Sequence, residues 1–548
     1  MNDVLIIGSG AGGGPLAWRL SRAGARVLVL ERGPRLERAD FPRGEVENYL
    51  PGFWYPKVSD DPHIVVRSDD PKPHPSSMGW IAVCVGGGTV HMGGYLYRFH
   101  PDDFRLRSRF GPYAAIADWP YSYDELEPYY VEAEWQVGVS GSPEPAHLGF
   151  RRSRDFPMPP LSAHPLTELF DRTCGELGLH PIPTPRSINS QWYQGRPPCS
   201  YCNLCAGAGC HTGAKGSSQE TFIAGAEATG RCEVVPNATV FEVTVGADGR
   251  ATGCRYFDAD GQERQARAKI VCVSCSAVES ARLLLMSKSP LFPDGLANGN
   301  GQVGRNLQFH AVTTASARFD LAGRDPDLWQ HPHPFFGRSL LDYYFLPPDA
   351  SSLPKGGVLR FSVPQAQPVA LAQRIAEASG FTRWGAPLKA ALRQFFVDSM
   401  SIEFEVFQDY IPNAGTYMVL DPQVTDPRGL PVARMYRESD PHHYTAGLWL
   451  QSRGLDILKA MGAQELRRGA LGEPATFLVH GTCRAGHDPT TSVLNSYCRA
   501  HEVDNLFVVD GSFMPTCGGA APTLTIIANS LRTADHIIAQ ARQGEWAN

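Results

Sequence analysis

Val4-Leu5-Ile6-Ile7-Gly8-Ser9-Gly10-Ala11-Gly12-Gly13-Gly14-Pro15-Leu16-Ala17-Trp18-Arg19-Leu20 lies at the start of the chain. A short β-branched apolar run breaks on glycines, then resumes with helical spacing and ends near Gly24. A second apolar run, Arg26-Val27-Leu28-Val29-Leu30, closes on Glu31. Together they predict a βαβ unit with Gly8, Gly10 and Gly13 in the G-x-G-x-x-G places. Gly8 would allow the tight turn, Gly10 would let the backbone approach a pyrophosphate, and Gly13 would let helix and strand pack closely. The pyrophosphate would sit at the helix N-terminus, where unpaired N–H groups and the positive end of the macrodipole face an anion. Glu31 would accept from a ribose hydroxyl, which leaves FAD or NAD as the dinucleotide and disfavours a 2′-phosphate; Arg32 falls in the same cofactor-binding turn. The plainer reading is a glycine-rich turn in an ordinary α/β domain.

Length and composition bound what the rest can be. A chain of 548 residues is too long for one core and suggests two or more interleaved domains. A net charge of −6 gives no basic footprint for nucleic acid. No apolar run reaches a membrane span, and Met1-Asn2-Asp3 leads directly into the first strand, which predicts no cleaved signal. Thirteen cysteines, an odd number with most of them scattered, argue against a disulfide framework.

Residues 34–78, rich in Pro, Asp and His, read as an extended surface excursion. A second glycine-dense loop follows an apolar stretch, Gly86-Gly87-Gly88-Thr89-Val90-His91-Met92-Gly93-Gly94, as suits main chain that must touch a flat ligand. Farther on, Pro197 to Lys215 holds Cys199, Cys202, Cys205 and Cys210 at C-x₂-C-x₂-C-x₄-C, and close thiolates with glycines between them favour an iron–sulfur centre over a zinc knuckle or an inert loop. Alternating runs from Glu233 to Val245 and Gly253 to Val273, with a turn at Asp258-Ala259-Asp260-Gly261, predict hairpin strands. Ser276 to Met286 reads as helix and Ser401 to Phe407 as strand, with Asp421-Pro422 and Asp426 to Pro431 as turns.

The N-terminal loop, the Gly86 to Thr89 loop, the run Asp118 to Tyr130, the segment Val303-Gly304-Arg305-Asn306-Leu307 and a C-terminal block near 480–538 together resemble the glucose-methanol-choline (GMC) flavoprotein oxidoreductases. The resemblance implies a mixed α/β (α+β) fold. In it a Rossmann-like FAD-binding domain (1–140, 197–310 and 475–548) is interleaved with a β-sheet substrate-binding domain (141–196 and 311–474). It implies FAD, held by the residues above together with Gly87, Gly88, Thr89, His91, Val240, Asp510, Gly511, Pro522 and Thr523, and oxidation of an alcohol carbon by hydride transfer to flavin N5. In relatives similar to pyranose oxidase and the gluconate and fructose dehydrogenases, a histidine at the place of His91 bonds covalently to the flavin; its plain alternative is loop packing. The dehydrogenases also resemble this chain at the cysteine loop, where they hold a three-iron cluster. Cys210 matches the last ligand, and a four-iron cluster on all four cysteines stays open. A cluster would give electrons a one-at-a-time exit to a cytochrome or small subunit. Location would then be the cytoplasm, or the periplasm by co-export beside that subunit.

The C-terminal block should hold the chemistry, since loss of hydride needs the hydroxyl proton removed and a neutral imidazole suits that role. In the family a histidine stands four residues before the threonine of a Gly-Thr pair, with an Asn or His before a Pro-Thr-Leu-Thr segment. Here those places are Leu478 and Ala521. His480 lies two residues away, on the same face if the segment is a strand, and is expected to be the base; His487 is the second candidate. His310 reads as a buried core histidine. The altered pair leaves open a desaturation or the oxidation of an aromatic alcohol, as well as an oxygen-using oxidase. An electron-transfer subunit with a degenerate site, or a lyase with structural FAD, is the reading from outside this class; the cysteine loop argues against the lyase.

Overall fold

The computed structural model describes the chain except residues 1, 49–53, 203, 206, 322–327, 329–330, 332, 334–336, 364–367, 379–383, 472–477 and 547–548. Asn203 and Ala206 of the cysteine loop, Phe477, and the domain boundary expected at 475 lie outside the described residues. The opening stretch forms β1 (Asn2–Ile7), α1 (Gly13–Arg22) and β2 (Val27–Leu30). β1 and β2 pair in parallel with Val4 against Val27 and Ile7 against Leu30. Cys232–Val235 extends the sheet beyond β2 and Glu263–Val273 beyond β1, both in parallel. Consecutive residues Val4, Leu5, Ile6 and Ile7 are all buried, as expected of a parallel strand covered on both faces. Leu16, Ala17 and Leu20 bury one face of α1, and Arg19 on the other binds Glu132 and Asp535, tying α1 to helices Tyr123–Val137 and Thr523–Arg542.

The turn at Asp258 to Gly261 joins Ala251–Phe257 to Glu263–Val273, and Thr239–Val245 completes an antiparallel meander. The run from Glu233 to Val245 is not one strand, because Asn237 takes φ +57° and breaks it; its first part joins the parallel sheet. A second, antiparallel sheet runs Gln464–Arg468, His310–Asp320, Ser399–Asp409, Gly357–Ser362, Arg338–Leu340, Ile182–Pro183. It contains the strand expected at 401–407. Helix Pro441–Ala460 covers it, packing Leu450 and Ile457 into a core with Ala315 and Phe404.

Two expectations need correction. The excursion at 34–78 is not all surface: His63–Arg67 pairs in parallel with Pro431–Arg437 in a four-stranded sheet, with His63, Ile64 and Val65 buried. Asp421 and Pro422 lie inside the strand Tyr417–Thr425, beside a register shift, and only Asp426 to Leu430 forms a turn. Met418, Ala433 and Met435 of that sheet pack in the same core as β1.

A charge network stitches this sheet to helix Ala277–Met286. Arg282 binds Glu279 at 3.2 Å, Asp61 at 3.4 Å and Asp426 at 3.1 Å, while Glu279 also reaches His63 at 3.0 Å. Burial alone would raise the Glu279 carboxyl, but Arg282, His63 and Arg32 hold it well below its ordinary value of 4.5. A depressed carboxylate stabilises the fold fully above its unfolded value and loses that contribution as pH falls towards the folded one. The melting temperature of the native chain should therefore fall more steeply below about pH 4.5 than that of Glu279→Gln, which has no proton to gain; parallel thermal melts across that range check it.

Candidate active site

The loop after β1 opens into a cavity of about 1150 Å³ that runs from the βαβ unit to the antiparallel sheet. Gly8 has φ +97°, and a Cβ there would lie 2.2 Å from the Ser274 carbonyl; a Cβ on Gly13 would lie 1.9 Å from the carbonyl of Gly8. A Cβ at Gly10 would meet nothing nearer than 4.0 Å, and at Gly88 nothing within 4 Å, so both keep main chain open to the cavity. All the expected cofactor residues except Gly13 line it: Gly8, Gly10, Glu31, Arg32, Gly87, Gly88, Thr89, His91, Val240, Asp510, Gly511, Pro522 and Thr523. Gly13 acts behind the wall, through helix packing. This bare glycine cradle, long and continuous with the helix N-terminus, fits a dinucleotide.

Two of the acidic residues have structural duties as well. Glu31 Oε2 accepts from the Ser9 N–H and hydroxyl at 3.1 and 2.7 Å, and Oε1 from the Gly33 N–H at 3.0 Å. Burial raises its pKa, and these donors oppose the rise. Asp510 accepts from the Ser512 N–H at 2.8 Å and from the hydroxyls of Ser512 and Ser280, capping the short turn Gly511–Phe513 at the cavity wall. Arg32 binds Asp61 at 3.0 Å and so belongs to the charge network at this end.

At the other end, His480 pairs with Gln308 by mutual backbone hydrogen bonds of 2.9 Å, and its ring borders the cavity. Leu478 and Val479 border it too. A Cβ on Gly511 would stand 2.9 Å from His480 Cδ2, so that glycine makes room for the imidazole. Burial holds the His480 pKa well below its ordinary value, and the ring is neutral. His487 is exposed on a loop and absent from the cavity wall, which corrects its place as a candidate base: beyond the bridge of Ala485 with Leu494 the chain runs outward. The antiparallel sheet contributes Val312, Arg360, Glu405 and Phe407, with Arg360 paired across strands to Glu405.

His91 stacks on Trp54 with ring centroids 5.1 Å apart, and burial lowers its pKa to about 4. Its carbonyl accepts from Gly207 of the cysteine loop at 3.1 Å. In that loop Cys202 is exposed and Cys199, Cys205 and Cys210 are half-buried. No three of the four thiols come within 4.8 Å of one another, so they do not close on a single ion. Burial pushes the Cys199 thiol up to about 12, whereas Thr212 and Lys215 bring Cys210 below its ordinary value despite burial. Lys215 is buried, forms no ion pair among the described residues, and donates only to the carbonyls of Val90, Cys205 and Ala208.

Two more residues bear on this site, one on the cavity wall and one buried beside His480. His310, expected in the core, stands with its ring centroid 5.1 Å from that of His480, and Arg360 on its central strand carried no motif. The long-range pairing of Gln308 with His480 brings the two imidazoles together.

Comparisons with known proteins agree with this geometry. A family model described as GMC oxidoreductase matches residues 76–312, another of the same description residues 412–530, and a model of an NAD(P)-binding Rossmann-like domain residues 6–64. The chain is 32% identical to 6'''-hydroxyparomomycin C oxidase of Streptomyces lividus, over 97% of this chain and 90% of that one. It is 29% identical to the fructose dehydrogenase large subunit of Gluconobacter japonicus, over 99% and 98%. Among solved structures, pyridoxine 4-oxidase from Mesorbium loti shares the fold, with a TM-score of 0.62 at 18% identity over 98% of this chain and 99% of that one.

Gly13→Ala drives a methyl into the Gly8 carbonyl and should open the turn beneath the cofactor. The variant is expected to purify with most of its flavin absorbance lost, whereas Gly175→Ala, where a Cβ meets nothing within 4 Å, should keep it.

Proposed function

The chain belongs to the GMC oxidoreductase family, and we propose that it is an FAD-dependent dehydrogenase that oxidises an alcohol carbon of a sugar, glycoside or related polyol. The observation that carries this reading is His480, a buried and neutral imidazole on the cavity wall facing the substrate sheet. Bound FAD supplies the acceptor for the hydride, while the alcohol oxygen becomes a carbonyl by giving its proton to the His480 ring. Arg360 and Glu405 set one donor and one acceptor in a wall of Val312, Phe407 and Leu478, which suits a molecule carrying several hydroxyls. The N-terminus of helix Thr523–Arg542 opens onto the same cavity through Pro522 and Thr523, and its positive end favours an electron-rich cofactor.

We assign the cysteine loop to an iron–sulfur cluster of three or four irons, which supplies a one-electron exit towards a cytochrome or small subunit. Lys215 supports this: a buried ammonium with carbonyls as its only partners calls for a nearby anion, and thiolates ligating a cluster would provide one. So does Cys202, whose exposure brings the loop to the surface where a partner could dock. The neutral His91 ring, one hydrogen bond from the loop, has the nucleophilic form needed for attachment to flavin. Location in the cytoplasm, or in the periplasm by co-export, follows the same reading. The methyl and isobutyl groups at Ala521 and Leu478 favour the second reading, a desaturation or aromatic-alcohol oxidation that needs less help from a base pair.

Anaerobic titration with sugars and polyols should bleach the flavin, and His480→Ala should slow that reduction by about 100-fold or more while keeping FAD; a variant as fast as the native enzyme clears His480 of the role. Bleaching by unsaturated-ketone precursors or aromatic alcohols alone selects the second reading. Protein purified without oxygen should carry about three to four irons with matching acid-labile sulfide per chain, and values near zero remove the cluster.

A further inference from the structure

After taking a proton from substrate, His480 must hold hydrogen on both ring nitrogens, and its Nδ1 is buried without a hydrogen-bond partner. Ala521 has only a methyl to offer. His310 is better placed. Its ring stands perpendicular to that of His480, and one ring nitrogen of each, together with Cys517 Sγ, lies within 4.8 Å of the others. His310 Nε2 lies 3.2 and 3.1 Å from the carbonyl oxygens of Cys517 and Gly518. Carbonyls only accept, so Nε2 carries the hydrogen and Nδ1 keeps a lone pair. That Nδ1 is also buried and without a partner.

Behind His310 the support continues. Cys517, whose carbonyl fixes the His310 tautomer, donates its S–H to Asp409 Oδ1 at 2.8 Å. Asp409 Oδ2 lies 3.8 Å from the Lys355 ammonium, which is in closer contact with Asp103. Two buried carboxylates thus share one buried cation.

We propose that His310 is the positioning residue of the base, its Nδ1 lone pair accepting the Nδ1–H of His480, with Cys517 and Asp409 locking its tautomer and orientation in place of the missing partner at 521. This rests on the reading of His480 as the base. Burial lowers the His310 pKa to about 3, so the ring stays neutral and remains an acceptor while its neighbour becomes charged. The pair tightens to hydrogen-bonding distance when the site is filled, as catalytic contacts commonly do.

The test uses holoenzyme and two readouts, the limiting rate constant of anaerobic flavin reduction by the best alcohol and the dissociation constant of that alcohol. His310→Ala should lower the rate constant by roughly 10- to 100-fold, the range for outer partners of working imidazoles, with FAD content and substrate affinity unchanged. His310→Gln, whose amide can donate to the two carbonyls and accept from His480, should recover part of the loss. The double variant His310→Ala, His480→Ala should be no slower than His480→Ala alone, because the first residue acts through the second. A His310→Ala enzyme with the native rate, or a double variant slowed by the product of the two single effects, overturns the proposal. If His310→Ala fails to hold FAD, the same cycle run with His310→Gln decides: additive losses overturn it and non-additive losses support it. A native flavin that no alcohol reduces, or a His480→Ala enzyme at full speed, instead removes the reading beneath it.

Discussion

A carboxylate shut away from water must find its donors in the chain, and the one on Glu31 finds them in two different turns. One oxygen gathers Ser9 from the first glycine loop and the other takes the N–H of Gly33. Ser9 passes the constraint on, since its hydroxyl donates to Glu31 and accepts from the N–H of Gly86 at 2.9 Å. The two glycine-rich loops are thereby held face to face by one buried side chain. The nucleotide end of the cavity takes its shape from that arrangement: the first loop continues into α1, and the second continues through Thr89 into His91 and on towards the cysteine loop.

At the substrate end the same economy appears with different groups. The loss of polar side chains at 478 and 521 leaves a smoother wall, but the polar content has moved inward, to His310 and the Cys517–Asp409 contact. On the sheet side, Arg360 and Glu405 sit on neighbouring strands, so the register of Gly357–Ser362 against Ser399–Asp409 decides that they meet. A slip of one residue would send both to the opposite face.

How far the sequence could be read depended on range. Gly8 and Gly13 were legible because their constraints are local: a turn with positive φ and a carbonyl where a Cβ would be. The Ser276–Met286 helix and the 401–407 strand follow from periodicity. His63–Arg67 was missed because its only parallel partner, Pro431–Arg437, lies more than 300 residues away, and a five-residue run inside a Pro- and Asp-rich stretch carries little signal of its own. His310 is the buried core histidine that its sequence suggests, but nothing near it in sequence announces the bridge from Gln308 to His480 that brings the two rings together. His487 looked plausible by proximity alone, and the turn after Cys483 carries it outward. The identity of the reaction came from resemblance across separated blocks; spacing and composition contain no statement about flavin chemistry.

The latch at Arg282 reaches the cavity as well. Asp61 and its neighbours Asp60 and Tyr55 form part of the cavity wall, and the contacts of Asp61 and His63 with helix Ala277–Met286 tie that wall to the helix. Asp61, Glu279, Arg282 and Asp426 thus serve twice, as the ties that seat the segment around His63 and as part of the wall at the nucleotide end, so the fold of that segment and the shape of the cavity are one arrangement.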